Sequence, residues 1–183
     1  MPKGLTATSE QIVVSFGASE PNPNSPFQTR IDLQLNALDS EVFVVTGVKL
    51  DIDPADVVIN AAGIPTRTLS SASISKQDIS SSASGFGLAN PSVIATATTI
   101  YRSDLAATAT NDVIGNYLYT ENSIDTPSQL EYVDIIATPD FFVTIRGSGN
   151  IEAKGVQGKL YGFRARASSA VYASLVQSEL LSQ

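Results

Sequence analysis

Apolar and polar residues alternate along much of this chain with a period of two. In residues 27–35, Phe27, Thr29, Ile31, Leu33 and Leu35 point one way, and Gln28, Arg30, Asp32 and Gln34 point the other. Side chains of a strand project to opposite faces in turn, so this repeat predicts a half-buried strand. Residues 41–53 carry the strongest strand signal. Strict alternation puts Val42, Val44, Val48, Leu50 and Ile52 on one face, with Phe43 and Val45 thickening the other near its start, and Pro54 ends the run. Residues 12–16 read as a short strand and residues 36–40 as a turn of helix or a loop. Residues 17–26 set three prolines among Ser and Asn, which predicts a loop.

The middle of the chain is less regular. Residues 57–59 and 67–79 are weak strand candidates, with Leu69 and Ile74 out of phase in the second. Residues 80–90, rich in Ser, Gly and Ala, read as a loop. Residues 93–101 are β-branched and Thr-rich and predict a strand. Residues 104–111 show no decisive pattern, and 113–119 is a further strand candidate.

The last third is clearer. Residues 130–137 are apolar enough to be buried on both faces, and Thr138-Pro139-Asp140 marks a turn. Residues 141–146 place Phe141, Val143 and Ile145 inward, and 147–150 form a turn or bulge. Residues 156–167 make a long strand with Tyr161 and Phe163 on one face. Ser168 or Ser169 supplies an N-cap for a closing helix. Val171, Leu175 and Ser178 lie on one side of it, next to Tyr172, Val176 and Leu180, and it is expected to pack on its own domain. In all, roughly eight to nine strands with short connections predict one all-β sandwich or barrel. It spans residues 1–183, without an internal repeat or interdomain linker.

Composition narrows what such a domain can do. Of the 183 residues, 43% are hydrophobic, enough for a sizeable core. Charged residues are 16%, against about 25% in ordinary soluble domains, and Ser, Thr, Ala and Asn fill the gap. Large neutral surfaces follow, suited to packing against other proteins. The formal charge of −7, from 11 basic and 18 acidic residues, opposes direct nucleic-acid binding, and no basic N-terminal arm is present. With no Cys and no His, disulfides, thiolate or His-ligated metal sites and Ser-His-Asp triads are excluded. No cofactor is implied. The start, MPKGLTATSEQ, has no apolar h-region, and no apolar run approaches the ~20 residues that span a bilayer. No transmembrane segment is therefore expected.

Few motifs suggest chemistry. Ser73-Ile74-Ser75-Lys76 matches S-x-x-K, but the companion S-D-N and K-T-G motifs are missing. Asp51, Asp53 and Asp56 form a D-x-D-x-x-D cluster, a weak candidate for Ca²⁺ that lacks the Gly and distal Glu of an EF-hand loop. A solvated strand end accounts for it as well. Asp134, Asp140 and Glu152 are carboxylates of the kind glycosidases pair, but no aromatic groove accompanies them and the chain has no Trp. Residues 155–160 fail as a phosphate loop because Ala153 stands where the first Gly belongs and Leu160 replaces Ser/Thr. The spacing of Gly155, Gly158 and Gly162 instead marks close backbone approach or strong curvature. Arg164 and Arg166 share a face at a strand end, either solvated or meeting an acidic neighbour.

Two stretches carry a resemblance. One is Leu35-Asn36-Ala37-Leu38-Asp39-Ser40-Glu41-Val42-Phe43-Val44-Val45, running on to Leu50-Asp51-Ile52-Asp53. The other is Leu130-Glu131-Tyr132-Val133-Asp134-Ile135-Ile136-Ala137, with Phe141-Phe142-Val143-Thr144-Ile145 and Lys159-Leu160-Tyr161-Gly162-Phe163-Arg164-Ala165-Arg166-Ala167. In strand texture and order, over about half the chain, these resemble single jelly-roll major capsid proteins of tailless icosahedral viruses of bacteria and archaea. The resemblance implies a single jelly-roll sandwich of about eight strands with a short C-terminal helix. It also implies a structural, non-enzymatic virion subunit that assembles with copies of itself and with other capsid proteins into an icosahedral shell, with an internal membrane layer as a possible neighbour beneath. The alternative is a β-sandwich binding module for a carbohydrate or surface ligand, calcium-dependent through Asp51, Asp53 and Asp56.

Overall fold

The computed structural model describes residues 3–58, 66–80, 86–103, 116–122 and 130–181. Alternation resolves into ten strands among these residues: β1 (Leu5–Ala7), β2 (Ile12–Ser19), β3 (Phe27–Asp32), β4 (Glu41–Ile52), β5 (Thr66–Ser75), β6 (Val93–Ser103), β7 (Asn116–Asn122), β8 (Asp134–Ile136), β9 (Asp140–Ser148) and β10 (Gly155–Ala167). Helix α1 (Ser169–Leu181) follows, and a single 3-10 turn, Ala37–Asp39, joins β3 to β4. One sheet, here sheet A, runs β2-β10-β4-β8, with β1 beside β2 on the same edge of β10; sheet B runs β3-β9-β5-β6-β7. All pairings are antiparallel. Set β1 and β7 aside and eight strands remain, ordered β2-β10-β4-β8 against β3-β9-β5-β6. That order is a single jelly roll, two antiparallel sheets closed over one core. Strand order is a property of pairing, so periodicity alone leaves it open. No helix of the described residues is long and apolar enough to cross a membrane.

The core lies between the sheets. Phe43, Val45, Leu160 and Val156 from sheet A meet Ala72, Ile74, Phe141, Val143 and Ile145 from sheet B, all of them fully buried. Phe16 and Phe141 pack edge to face, with ring centroids 5.7 Å apart. Gly158 and Gly162 are inner-face positions of β10. A methyl group at either would collide with a facing aromatic ring, Phe16 or Phe43, and with a carbonyl of β4. Each glycine thus leaves room for a ring from the neighbouring strand, which explains their spacing.

Several expectations change on contact with the pairing. Val42 and Val44 do not share a face with Val48, Leu50 and Ile52. Tyr161 pairs with Gly47 and Gly162 with Val45, so Thr46 has no partner and forms a β-bulge. The extra residue inverts the alternation: Phe43 and Val45 face the core before it, Val48, Leu50 and Ile52 after it. Residues 17–19 are not loop, because β2 continues to Ser19 against β10. Phe27, expected inward, is 40% exposed near the free edge of sheet B, while Ile31, Leu33 and Leu35 do reach the core. Of residues 130–137 only 134–136 are strand, and Leu130 is exposed. Leu69 and Ile74 fall on opposite faces of β5, Ile74 inward. Residues 57–58 are not strand, and residue 59, with 81–85, 104–111 and 113–115, lies outside the described residues.

Helix α1 packs on its own domain, as expected. Val171, Tyr172, Leu175 and Val176 cover Val42, Val44, Ala165 and Ala167 on the outer face of sheet A, joined by Leu5, Tyr132 and Phe163. Ser168 precedes the helix and its carbonyl accepts the Tyr172 N–H at 2.8 Å. The start of β4 is therefore buried on both faces, which is why Val42 to Val45 form an unbroken apolar run.

Candidate functional site

The sequence singled out Asp51, Asp53 and Asp56, and the fold sends them to different duties. Asp51 is exposed on the outer face of β4, opposite Gln157. Asp53 closes the end of the β4–β10 ladder: its carboxylate accepts the Gly155 N–H at 2.7 Å, and its own N–H donates to the Gly155 carbonyl at 2.9 Å. Asp56 reaches into the β9–β10 connection, residues 149–154, and accepts the N–H groups of Ile151 at 2.7 Å and Glu152 at 2.9 Å. It also forms an ion pair with the Lys154 ammonium. Burial acts to raise the Asp56 pKa. The Lys154 ammonium and the two N–H donors outweigh it and hold the carboxyl below its ordinary value. No group of three or more acidic residues poised to hold a metal occurs among the described residues.

Asp56 belongs to a polar clamp that residue spacing does not reveal. Glu20, at the end of β2, accepts the Gly147 N–H at 2.6 Å and the Lys154 N–H at 3.1 Å. Asn24 and Asn150 exchange two side-chain-to-backbone bonds of 2.8 Å each. The Asn150 amide donates to the Leu69 carbonyl at 2.7 Å and accepts the Asp56 N–H at 3.0 Å. Glu20, Asn150 and Lys154 are all buried. Gly149, at φ +71°, makes the turn, and a side chain there would meet the Arg67 carbonyl. Three connections at one end of the sandwich, residues 20–26, 53–58 and 149–154, are thereby locked together. The signal in the sequence was only the density of Asn, Asp, Glu and Gly at predicted turns.

The opposite end holds a second buried carboxylate. Glu179, in the last turns of α1, accepts the N–H groups of Ala137 at 3.0 Å and Thr138 at 3.1 Å. Burial pushes its pKa up, against the pull of those donors and of the Lys76 ammonium. Lys76 itself pairs with Asp134 at 3.1 Å. The Ser of the S-x-x-K match is therefore not served by its Lys: Ser73 is fully buried on the outward side of β5, and its hydroxyl has no hydrogen-bond partner among the described residues. Asp140 pairs with Arg30, and Glu152 lies exposed in the clamped connection. Arg164 donates to the Leu33 carbonyl at 3.1 Å and Arg166 pairs with Asp39 at 3.2 Å, so both arginines hold the β3–β4 connection.

What remains for a partner is surface. On the outward side of sheet B, Ser71, Thr96 and Thr98 are half-buried, with Ser71 and Thr98 in hydrogen-bond contact at 3.1 Å, while Ser73 and Thr144 are buried. Beside α1, a recess of about 350 Å³ is walled by Val44, Tyr132 and Phe163 and rimmed by Ser9, Gln11 and Glu131. No protein-family model matches the chain, and neither a curated protein nor a solved structure does.

Proposed function

We propose that this chain is a structural virion protein, a capsid subunit that packs with other copies of itself, and with other capsid proteins, into an icosahedral shell, without catalysis or cofactor. The jelly-roll strand order supports the reading most. It joins a compact slab with two broad sheet faces to the low charge that the sequence supplies. Fold alone does not dictate function. The locked connections at one end add residue-level support. Rigid ends keep a repeated contact geometry from one copy to the next. Ring-closing heterologous contacts between copies would complete the shell.

Light scattering coupled to size exclusion, with electron microscopy of any large fraction, tests this. Rings, sheets or closed shells are the expected result. A strictly monomeric chain at high concentration, across salt and pH, would overturn it.

A second reading has one observation in its favour. The recess beside α1 sets Tyr132 and Phe163 against Ser9, Gln11 and Glu131, a mixture suited to one sugar ring. A saccharide panel read by calorimetry, with Tyr132→Ala as the disabled variant, decides it: binding lost in the variant supports a carbohydrate module, and no binding by the native chain removes it.

A further inference from the structure

Helix α1 covers only the half of sheet A's outer face near Val42, Val44, Ala165 and Ala167. On the other half, β2, β10 and β4 present Ser15, Lys159 and Lys49 in one row, and Gly17, Gln157 and Asp51 in the next, all exposed. Lys49 and Lys159 stand directly opposite each other in the register. With Ser15, Asp51 and Gln157 they line a shallow recess of about 260 Å³.

Like charges directly opposed across antiparallel strands destabilise a sheet. This pair occurs in a chain with only 11 basic residues. Four other bases are spent inside the molecule, Arg30 on Asp140, Lys76 on Asp134, Lys154 on Asp56 and Arg166 on Asp39, and one other pair of bases, Arg67 and Arg102, is opposed between β5 and β6. Lys49 and Lys159 have no hydrogen-bond or ion-pair partner among the described residues, and one nearby carboxylate, Asp51, leaves the recess net positive. The chain as a whole has the opposite sign, with 18 acidic residues and a formal charge of −7. A second copy is thus a ready source of unneutralised carboxylate.

We infer that the Lys49–Lys159 row is a contact surface between copies of this chain, receiving acidic side chains of a neighbouring copy. The inference rests on the shell-building reading and gives it one contact face. The two ammoniums, the Ser15 hydroxyl and the Gln157 amide all donate to carboxylate oxygens, and docking removes the repulsion that the isolated subunit carries. The contact is heterologous, because the basic face of one copy meets acidic residues elsewhere on the next.

The test compares the native chain with Lys49→Gln/Lys159→Gln, with Lys49→Arg/Lys159→Arg, and with Lys3→Gln as a control away from the recess. Self-association is followed by light scattering against protein and salt concentration, and thermal unfolding is measured on the dilute subunit. The Gln pair is expected to weaken association roughly tenfold and to flatten its salt dependence. It raises Tm by about 1–3 °C, because the opposed charges are gone. The Arg pair and Lys3→Gln keep association. Unchanged association in the Gln pair overturns the inference while leaving the shell reading intact. Lowered Tm in the Gln pair assigns the lysines to folding and also overturns it. A native chain that never associates removes both readings together.

Discussion

The two ends of this sandwich are held by opposite chemistry. At one end, side chains of Glu20, Asn24 and Asp56 satisfy the backbone of residues 147–154, the Asn150 side chain satisfies that of Asp56 and Leu69, and polar groups do the fastening. At the other, α1 lies on Val42, Val44, Ala165 and Ala167 by apolar contact, with Glu179 as its one deeply buried acid among the described residues. A polar clamp is specific and brittle, because losing one partner strands several others. An apolar dock degrades by increments, since its strength scales with area.

The two carboxylates also answer to pH in opposite senses. The pKa of Asp56 is lowered on folding from 3.8, so its contribution is complete above that value and is lost as pH falls through the lowered folded pKa. The pKa of Glu179 is raised from 4.5, so its contribution is complete below 4.5 and is lost as pH rises through the raised folded pKa. Acid loosens the clamp and tightens the dock.

Breaking the clamp tests this contrast most severely. Asp56→Ala leaves the Lys154 ammonium buried without its partner and orphans the Ile151 and Glu152 amides, so a loss of about 3–5 kcal/mol is expected in urea unfolding. Hydrogen exchange at Ile151 and Glu152 should accelerate, while α1 keeps its protection. Asn150→Ala strips the Leu69 carbonyl and the Asp56 N–H of partners and should cost about 2–3 kcal/mol by the same assay. At the dock, Val44→Ala removes two buried methyl groups and is expected to lower stability by about 2 kcal/mol. Exchange should rise in α1 and not in residues 149–154. Coupled losses at both ends from any one of these changes would refute their independence. The smallest effect is electrostatic. In the native chain, exchange protection of α1 should fall as pH rises above 4.5, and Glu179→Gln should flatten that dependence.

How much of this was legible in sequence depends on the range of the interaction. β3, β9 and β10 announce themselves because alternation is local, and α1 because its start and its apolar stripe are local too. The bulge at Thr46 is not legible: its cause is the pairing of β4 with β10, more than a hundred residues on, and reading through it put Val42 and Val44 on the wrong face. The clamp was missed for the same reason. Asn24 and Asn150 stand 126 positions apart, and Glu20 and Lys154 stand 134 apart. Asp56 reads in sequence as a calcium-ligand candidate, because its partners come from the β9–β10 connection and leave no mark on its neighbours. The two lysines on sheet A are an unremarkable Lys at 49 and another at 159 until register sets them face to face.

β10 also has a bearing on the order of events during synthesis. It comes last in chain order among the described strands, yet it is the strand against which β1, β2 and β4 all pair. Until residues 155–167 leave the ribosome, β2 and β4 have no shared neighbour, and the helix that follows has no sheet to lie on. Sheet B has no such dependence, since β3, β9, β5 and β6 precede β10. Chains cut short before residue 155 therefore cannot close the sandwich. The face carrying Lys49 and Lys159 thus comes into being only once residues 155–167 have been made, so on the shell-building reading fragments that end before them lack this contact surface.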